Sequence, residues 1–143
     1  MSQSATITAS SARPLAAPGT AALPAIGRTA MAAIFLLSGF SKLAAPAATI
    51  AYIQSAGLPF PPIAFAAAAA TEILGGLALV LGFHARITAT IMTLFTLATA
   101  FAFHDHLADQ SQFINFWKNI AMAGGLLQVV AFGAGAYSLD ARR

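Results

Sequence analysis

The sequence predicts an all-α membrane protein: a four-transmembrane-helix bundle, a short interfacial helix between spans 1 and 2, and both termini in the cytoplasm. Three observations predict it. First, the chain of 143 residues is 59% hydrophobic and 8% charged, with a mean hydropathy of +0.80. Soluble domains carry about 25% charged residues, so this chain cannot cover a water-facing surface. Second, its apolar residues fall into four runs of membrane-spanning length. Third, its basic residues divide unevenly between the two ends of those runs. Arg13, Arg28, Arg86, Arg142 and Arg143 lie on one side, Lys42 and Lys118 on the other, and the richer side is expected in the cytoplasm.

Composition also excludes function classes. With no cysteine, the chain has no disulfide, thiolate metal site or cysteine redox chemistry of its own. The isoelectric point near 10.0 reflects a net charge of only +3, scattered along the chain, which fits basic cytoplasmic ends and not nucleic-acid binding. The length suits one bundle without a second domain.

Residues 1–24, rich in Ser, Ala, Thr and Pro, form an expected disordered cytoplasmic tail. A targeting peptide is the rival reading, because the segment lacks acids. Residues 25–140 form the transmembrane domain and 141–143 a basic C-terminal end. The first span is expected from Ile26 to Leu43, with Arg28 and Lys42 about 21 Å apart along its axis and on nearly one face. Either both snorkel to opposite interfaces or one turns inward, and Lys42, among the small residues of Ser38-Gly39-Phe40-Ser41, is the nearer candidate. Pro46 opens an expected short interfacial helix, a connector or else a gate on access to Glu72, with the connector favoured, and Gly57-Leu-Pro59-Phe-Pro61-Pro62 ends it.

The second span is the informative one. From Pro62 to Phe83 the only formal charge is Glu72, which falls roughly 15 Å in, near the bilayer midplane. A carboxylate there costs several kcal/mol unless it is paired, protonated or facing a wet cavity. Ala68, Ala69, Gly75 and Gly76 share its face, a small-residue stripe that lets another helix approach. Glu72 is therefore expected to point into the bundle.

After the Gly82-Phe83-His84 turn, the third span (Arg86 to Phe103) carries five threonines, most expected to bond their own helix carbonyls. Thr93 and Thr96 share a face with His104. The triplet His104-Asp105-His106 invites a metal reading, but His84 belongs to the opposite membrane face, and no metal site is assigned. The fourth span (Ile114 to Phe132) begins with Trp117 as an interface anchor beside Lys118-Asn119. Its stripe of Ala121, Gly124 and Gly125 includes Gln128, which is expected to find a partner inside the bundle. The candidate intramembrane polar site is thus Glu72, Lys42, Arg28, His104, Lys118 and Gln128.

These pieces resemble the DoxX family of small four-helix bacterial membrane proteins. The likeness covers residues 27–140. It rests on Arg28, Phe35-Leu-Leu-Ser-Gly39-Phe-Ser-Lys42-Leu, Gly57-Leu-Pro59, Thr71-Glu72-Ile-Leu-Gly75-Gly76, Leu81-Gly82-Phe83 with Arg86, His104, Lys118-Asn119, Ala123-Gly124-Gly125-Leu126, and Ser138-Leu139-Asp140. The resemblance implies a bacterial inner-membrane bundle associated with quinone-linked redox systems or oxidative-stress defence, and no agreed catalytic set. Three functions follow as expectations. The first is a redox-complex subunit with a quinone pocket, where Glu72 handles the proton and Lys42, Lys118 or His104 bonds a quinone carbonyl. Phe35, Phe40, Phe101 and Phe103 could flank the ring. The second is a scaffold for membrane or peripheral redox proteins, and the third a small proton-linked transporter working as a homo-oligomer. No flavin, NAD, haem or iron–sulfur motif is present, so the quinone or a partner would carry the electrons.

Overall fold

The computed structural model describes residues 20–143. Five α-helices and a terminal 3-10 turn, with no strand among the described residues, make up the chain: α1 (Leu23–Ala44), α2 (Pro46–Ser55), α3 (Pro61–Leu81), α4 (Ala85–Phe103) and α5 (Gln110–Phe132). Prolines stand at the first turn of α1, α2 and α3, where a missing N–H is harmless and φ is already helical. Because Pro24 opens α1, the helix starts at Leu23, inside the stretch expected to be tail; residues 1–19 of that tail lie outside the described residues. Asp109 caps α5, accepting from the Gln112 N–H at 2.9 Å.

The helices pair antiparallel as α1 with α3 and α4 with α5, and α3 joins the pairs through α4. Side-chain contacts fix the direction: Arg28 reaches Leu79 and Val80, while Lys42 reaches Glu72. At the other seam Phe101 meets Phe116. The core is small, built from Ala32, Phe35, Leu79, Ala89, Met92, Leu126 and Val129. Outside it, Leu37, Ile63, Leu74, Leu94 and Phe132 are exposed. That outer surface suits hydrocarbon and not water. Three helices, α1, α3 and α4, are long and apolar enough to cross a membrane. At 23 residues α5 matches their length, but Gln110, Ser111, Gln112, Asn115, Lys118 and Asn119 make its first half more polar.

Two polar devices hold one end of the bundle. Arg28, buried in the first turns of α1, donates through Nη1 to the Leu79 and Val80 carbonyls and through Nη2 to that of Tyr137. It thereby adds a charged donor to carbonyls in the last turn of α3. The chain after α5 then lies along the α3–α4 turn. The Leu139 and Asp140 N–H groups donate to the Leu81 and Gly82 carbonyls at 3.0 Å each. Gly82 must be glycine here: its φ is +62°, and a Cβ would sit 2.4 Å from that of Ser138. The Asp140 carboxylate accepts from the His84 N–H (2.8 Å) and the Ala85 N–H (2.7 Å). It caps α4 from 55 residues away in sequence, in place of His84, whose own side chain makes no cap.

The Ala85 N–H, with the His84 N–H and the charges of His84 and Arg143, holds the Asp140 carboxyl below its usual range. A depressed carboxyl stabilises the fold above its unfolded value and loses that contribution as pH falls through the folded value. We expect the wild-type Tm to fall more steeply below about pH 4 than that of Asp140→Asn, in a detergent thermal-unfolding series. Arg28→Leu should lower stability by about 3 kcal/mol at any pH, since buried carbonyls lose charged donors; an unchanged Tm would remove Arg28 from the structural frame.

Candidate functional site

Near the opposite end, α1 and α3 approach closely at Gly39, where a Cβ would stand 2.7 Å from Ile73 Cγ1 and 3.2 Å from Glu72 Cβ. That approach seats Glu72 beside Ser38 and Lys42, which lie one turn apart on α1. Lys42 Nζ lies 2.8 Å from Glu72 Oε1 and donates to Ser38 Oγ at 2.7 Å, while Ser38 Oγ donates to Glu72 Oε1 at 3.1 Å. The three groups close a triangle. Glu72 is 7% exposed at its side chain and Lys42 24%, so the carboxylate is the buried member. Its second oxygen, Oε2, is fully buried and has no hydrogen-bond partner among the described residues. A buried acceptor left open usually marks a role beyond packing.

Glu72 and Lys42 lie on the wall of a cavity of about 540 Å³, inside the range of small-molecule sites. The wall is mostly apolar, with Phe35, Ile53, Phe95, Phe103 and Met122 among its residues, and its polar groups include Ser38, Thr96, His104, Lys118 and Asn119. Helix α2 supplies Thr49, Tyr52 and Ile53, and the Tyr52 ring stacks on Phe103 with centroids 5.3 Å apart. The helix expected to be a connector is thus also part of the cavity wall.

The structure brings together four of the six residues singled out in the sequence: Lys42, Glu72, His104 and Lys118. His104 Nδ1 is 2.7 Å from Gln112 Oε1, so Nδ1 donates and Nε2 is the nitrogen left to accept. Lys118 is exposed at the rim and donates to Asn115 Oδ1 at 2.8 Å. His106 turns away and pairs with Asp105 in the exposed loop. Two expectations are corrected. Arg28 turns inward at the far end of α1, about 21 Å along the axis from Lys42, and meets backbone carbonyls instead of Glu72. Gln128 has no partner inside the bundle: the rotation of α5 buries Ala123, Leu126 and Val129 and leaves Gly124 and Gln128 exposed. Among the aromatic residues, Phe35 and Phe103 face the cavity, whereas Phe40 and Phe101 are exposed.

Sequence reasoning did not assign Ser38, Asn119 or Gln112 to the site. Ser38 was detectable from its i, i+4 spacing to Lys42. Asn119, 8% exposed on the cavity side of α5, carried only its position beside Lys118. The threonines behave as expected: Thr90, Thr93 and Thr96 bond the carbonyls four residues earlier.

A DoxX family model matches residues 23–105, from the start of α1 to just past α4. Inner membrane protein YphA of Escherichia coli (strain K12) is 37% identical over 123 residues, covering 82% of this chain and 87% of that protein. Inner membrane protein YqjF of the same organism is 36% identical over 117 residues, covering 80% and 87%. No solved structure matches. With these relatives and three apolar membrane-length helices, the chain is a multi-pass protein of the inner membrane.

The ion pair makes a double-substitution test possible. Lys42→Met should cost about 3 kcal/mol by leaving a buried carboxylate without its cation, and Glu72→Met a similar amount. The combined variant should recover most of the loss, because two apolar side chains suit the site better than one orphaned charge. Thermal unfolding in detergent reads all three, and purely additive losses would show that the two groups are not coupled.

Proposed function

We propose that this chain, which belongs to the DoxX family, is a four-span inner-membrane subunit that binds a quinone in the Lys42–Glu72 cavity and serves a redox or oxidative-stress complex. The observation that carries the reading is the cavity itself: an apolar space walled by aromatic rings, with a buried carboxylate that has one oxygen open. The residues fit such a guest. Phe35, Tyr52 and Phe103 offer ring faces, Lys42 and Lys118 offer N–H donors, and His104 adds a nitrogen. Glu72 Oε2 is an acceptor without a donor.

A bound quinone supplies the capacity to carry two electrons and two protons. The chain's own residues would do the rest. Lys42 would orient a carbonyl oxygen with the N–H that Ser38 and Glu72 leave free. Glu72 would hold or release a proton at Oε2, the oxygen left without a hydrogen-bond partner among the described residues. Tyr52 and Phe103, stacked at the α2 side, would keep water from the carboxylate. Electrons would arrive from a partner oxidoreductase, since the sequence has no flavin or haem motif.

The same reading takes α5 as the fourth span and both termini as cytoplasmic. Supporting it are the antiparallel course of α5 against α4 and the segregation of basic residues. Arg28, Arg86, Arg142 and Arg143 gather at one end of the described bundle, Lys42 and Lys118 toward the other. Because the chain lacks cysteine, single cysteines report the topology cleanly. Ser111→Cys should react with a membrane-impermeant maleimide from outside intact spheroplasts, and Ala141→Cys only after lysis. Labelling of both from one side would remove the four-span arrangement.

Gentle extraction from the host membrane, followed by mass spectrometry of lipids and proteins, tests the quinone. One quinone per chain, lost in Glu72→Gln, is the expected result. A co-purifying oxidoreductase without quinone would turn the reading into a scaffold. Neither would point to a proton-linked transporter, with flux as the assay.

A further inference from the structure

The second recess of the molecule lies at the arginine end. It has a volume of about 480 Å³, and its walls include His84, Arg86, Ile87, Gly133, Asp140 and Arg143. Its positive charge is available. The Arg86 side chain, in the first turn of α4, makes no hydrogen bond or ion pair with any described residue. Arg143 Nη1 lies 2.8 Å from His84 Nε2, and its guanidinium covers the Phe83 face at 4.6 Å. The one acid present does not cancel these charges by pairing: each Asp140 oxygen accepts a main-chain N–H. Two guanidinium groups therefore border one recess with donors unused. Guanidinium forks match phosphate oxygens two at a time.

The recess also has an apolar margin. Ile87, in its wall, is 62% exposed, and Phe132, next to Gly133, is 79% exposed. Arg86 is the second residue of a membrane-length helix, a position where arginine heads meet lipid headgroups and apolar neighbours meet acyl chains. We propose that this recess binds the phosphate of an anionic phospholipid, with Arg86 and Arg143 on the phosphate oxygens and the acyl chains along Ile87 and Phe132. The site is separate from the Lys42–Glu72 cavity and does not depend on what that cavity holds.

Native mass spectrometry of the delipidated full chain, in a nonionic detergent, tests the proposal with three probes: phosphatidylglycerol, phosphatidylcholine and inorganic phosphate. Phosphatidylglycerol should bind one per chain, about tenfold more tightly than phosphatidylcholine. Arg86→Gln and Arg143→Gln should each weaken it roughly five- to tenfold. Arg142→Gln removes the same charge from the same end but lies outside the recess, so it should change binding less than twofold. Arg86→Lys should fall between. The Arg86 side chain has no bond to a described residue to lose, so its variant should keep the wild-type Tm and carries the test even if Arg143→Gln loosens the tail. Equal affinity for both lipids, or equal damage from Arg142→Gln and Arg86→Gln, would overturn the site. Saturation by inorganic phosphate without uptake of phosphatidylglycerol would assign the recess to free phosphate and overturn the lipid.

Discussion

A carboxylate among apolar helices must find its counter-charge within the protein, because hydrocarbon offers none. Glu72 imposes this condition on the cavity half of the bundle. It requires Lys42 on the facing helix, and the Lys42–Glu72 distance of 2.8 Å requires α1 and α3 to come close. The close approach in turn requires Gly39, since any larger residue would meet Ile73. Ser38 then completes the triangle. One charged side chain thus sets the register of two helices and the width of the space beside them. The space is a consequence of the pair as much as a container for it.

Much of this was legible in the sequence, for a physical reason. A single charge in a long apolar run has few ways to be satisfied, so Glu72 and its small-residue flank announced both the helix and its inward face. Lys42 could be nominated from the small residues around it. Arg28 could not be assigned by the same means. Its partners are the carbonyls of Leu79, Val80 and Tyr137, and backbone acceptors leave no mark in a sequence. Gln128 was misread because a small-residue stripe does not say which side of a helix faces inward. That depends on helix rotation, set here by burial of Ala123, Leu126 and Val129. The contribution of α2 was hidden for a similar reason: Tyr52 and Phe103 are distant in sequence, and only the fold stacks them.

The two ends of the bundle use opposite chemistry. At the cavity end, polar side chains line part of an open space between the helices. At the arginine end the backbone is closely bonded: a buried guanidinium serves helix carbonyls, a distant carboxylate caps α4, and the chain after α5 pairs with the α3–α4 turn. Rigidity is thus concentrated away from the ligand-sized space. Such a division fits a protein that keeps one face fixed while the other accommodates a guest.

The cap on α4 has a further consequence in time. Residue 140 is made 55 residues after Ala85, roughly 3–11 s later at ordinary ribosomal speed. During that interval the first amides of α4 have no carboxylate, and Arg28 has no Tyr137 carbonyl to meet. All of α1 to α4 is therefore synthesised before these contacts can form, and Tyr137 and Asp140 close an arrangement that α1 began.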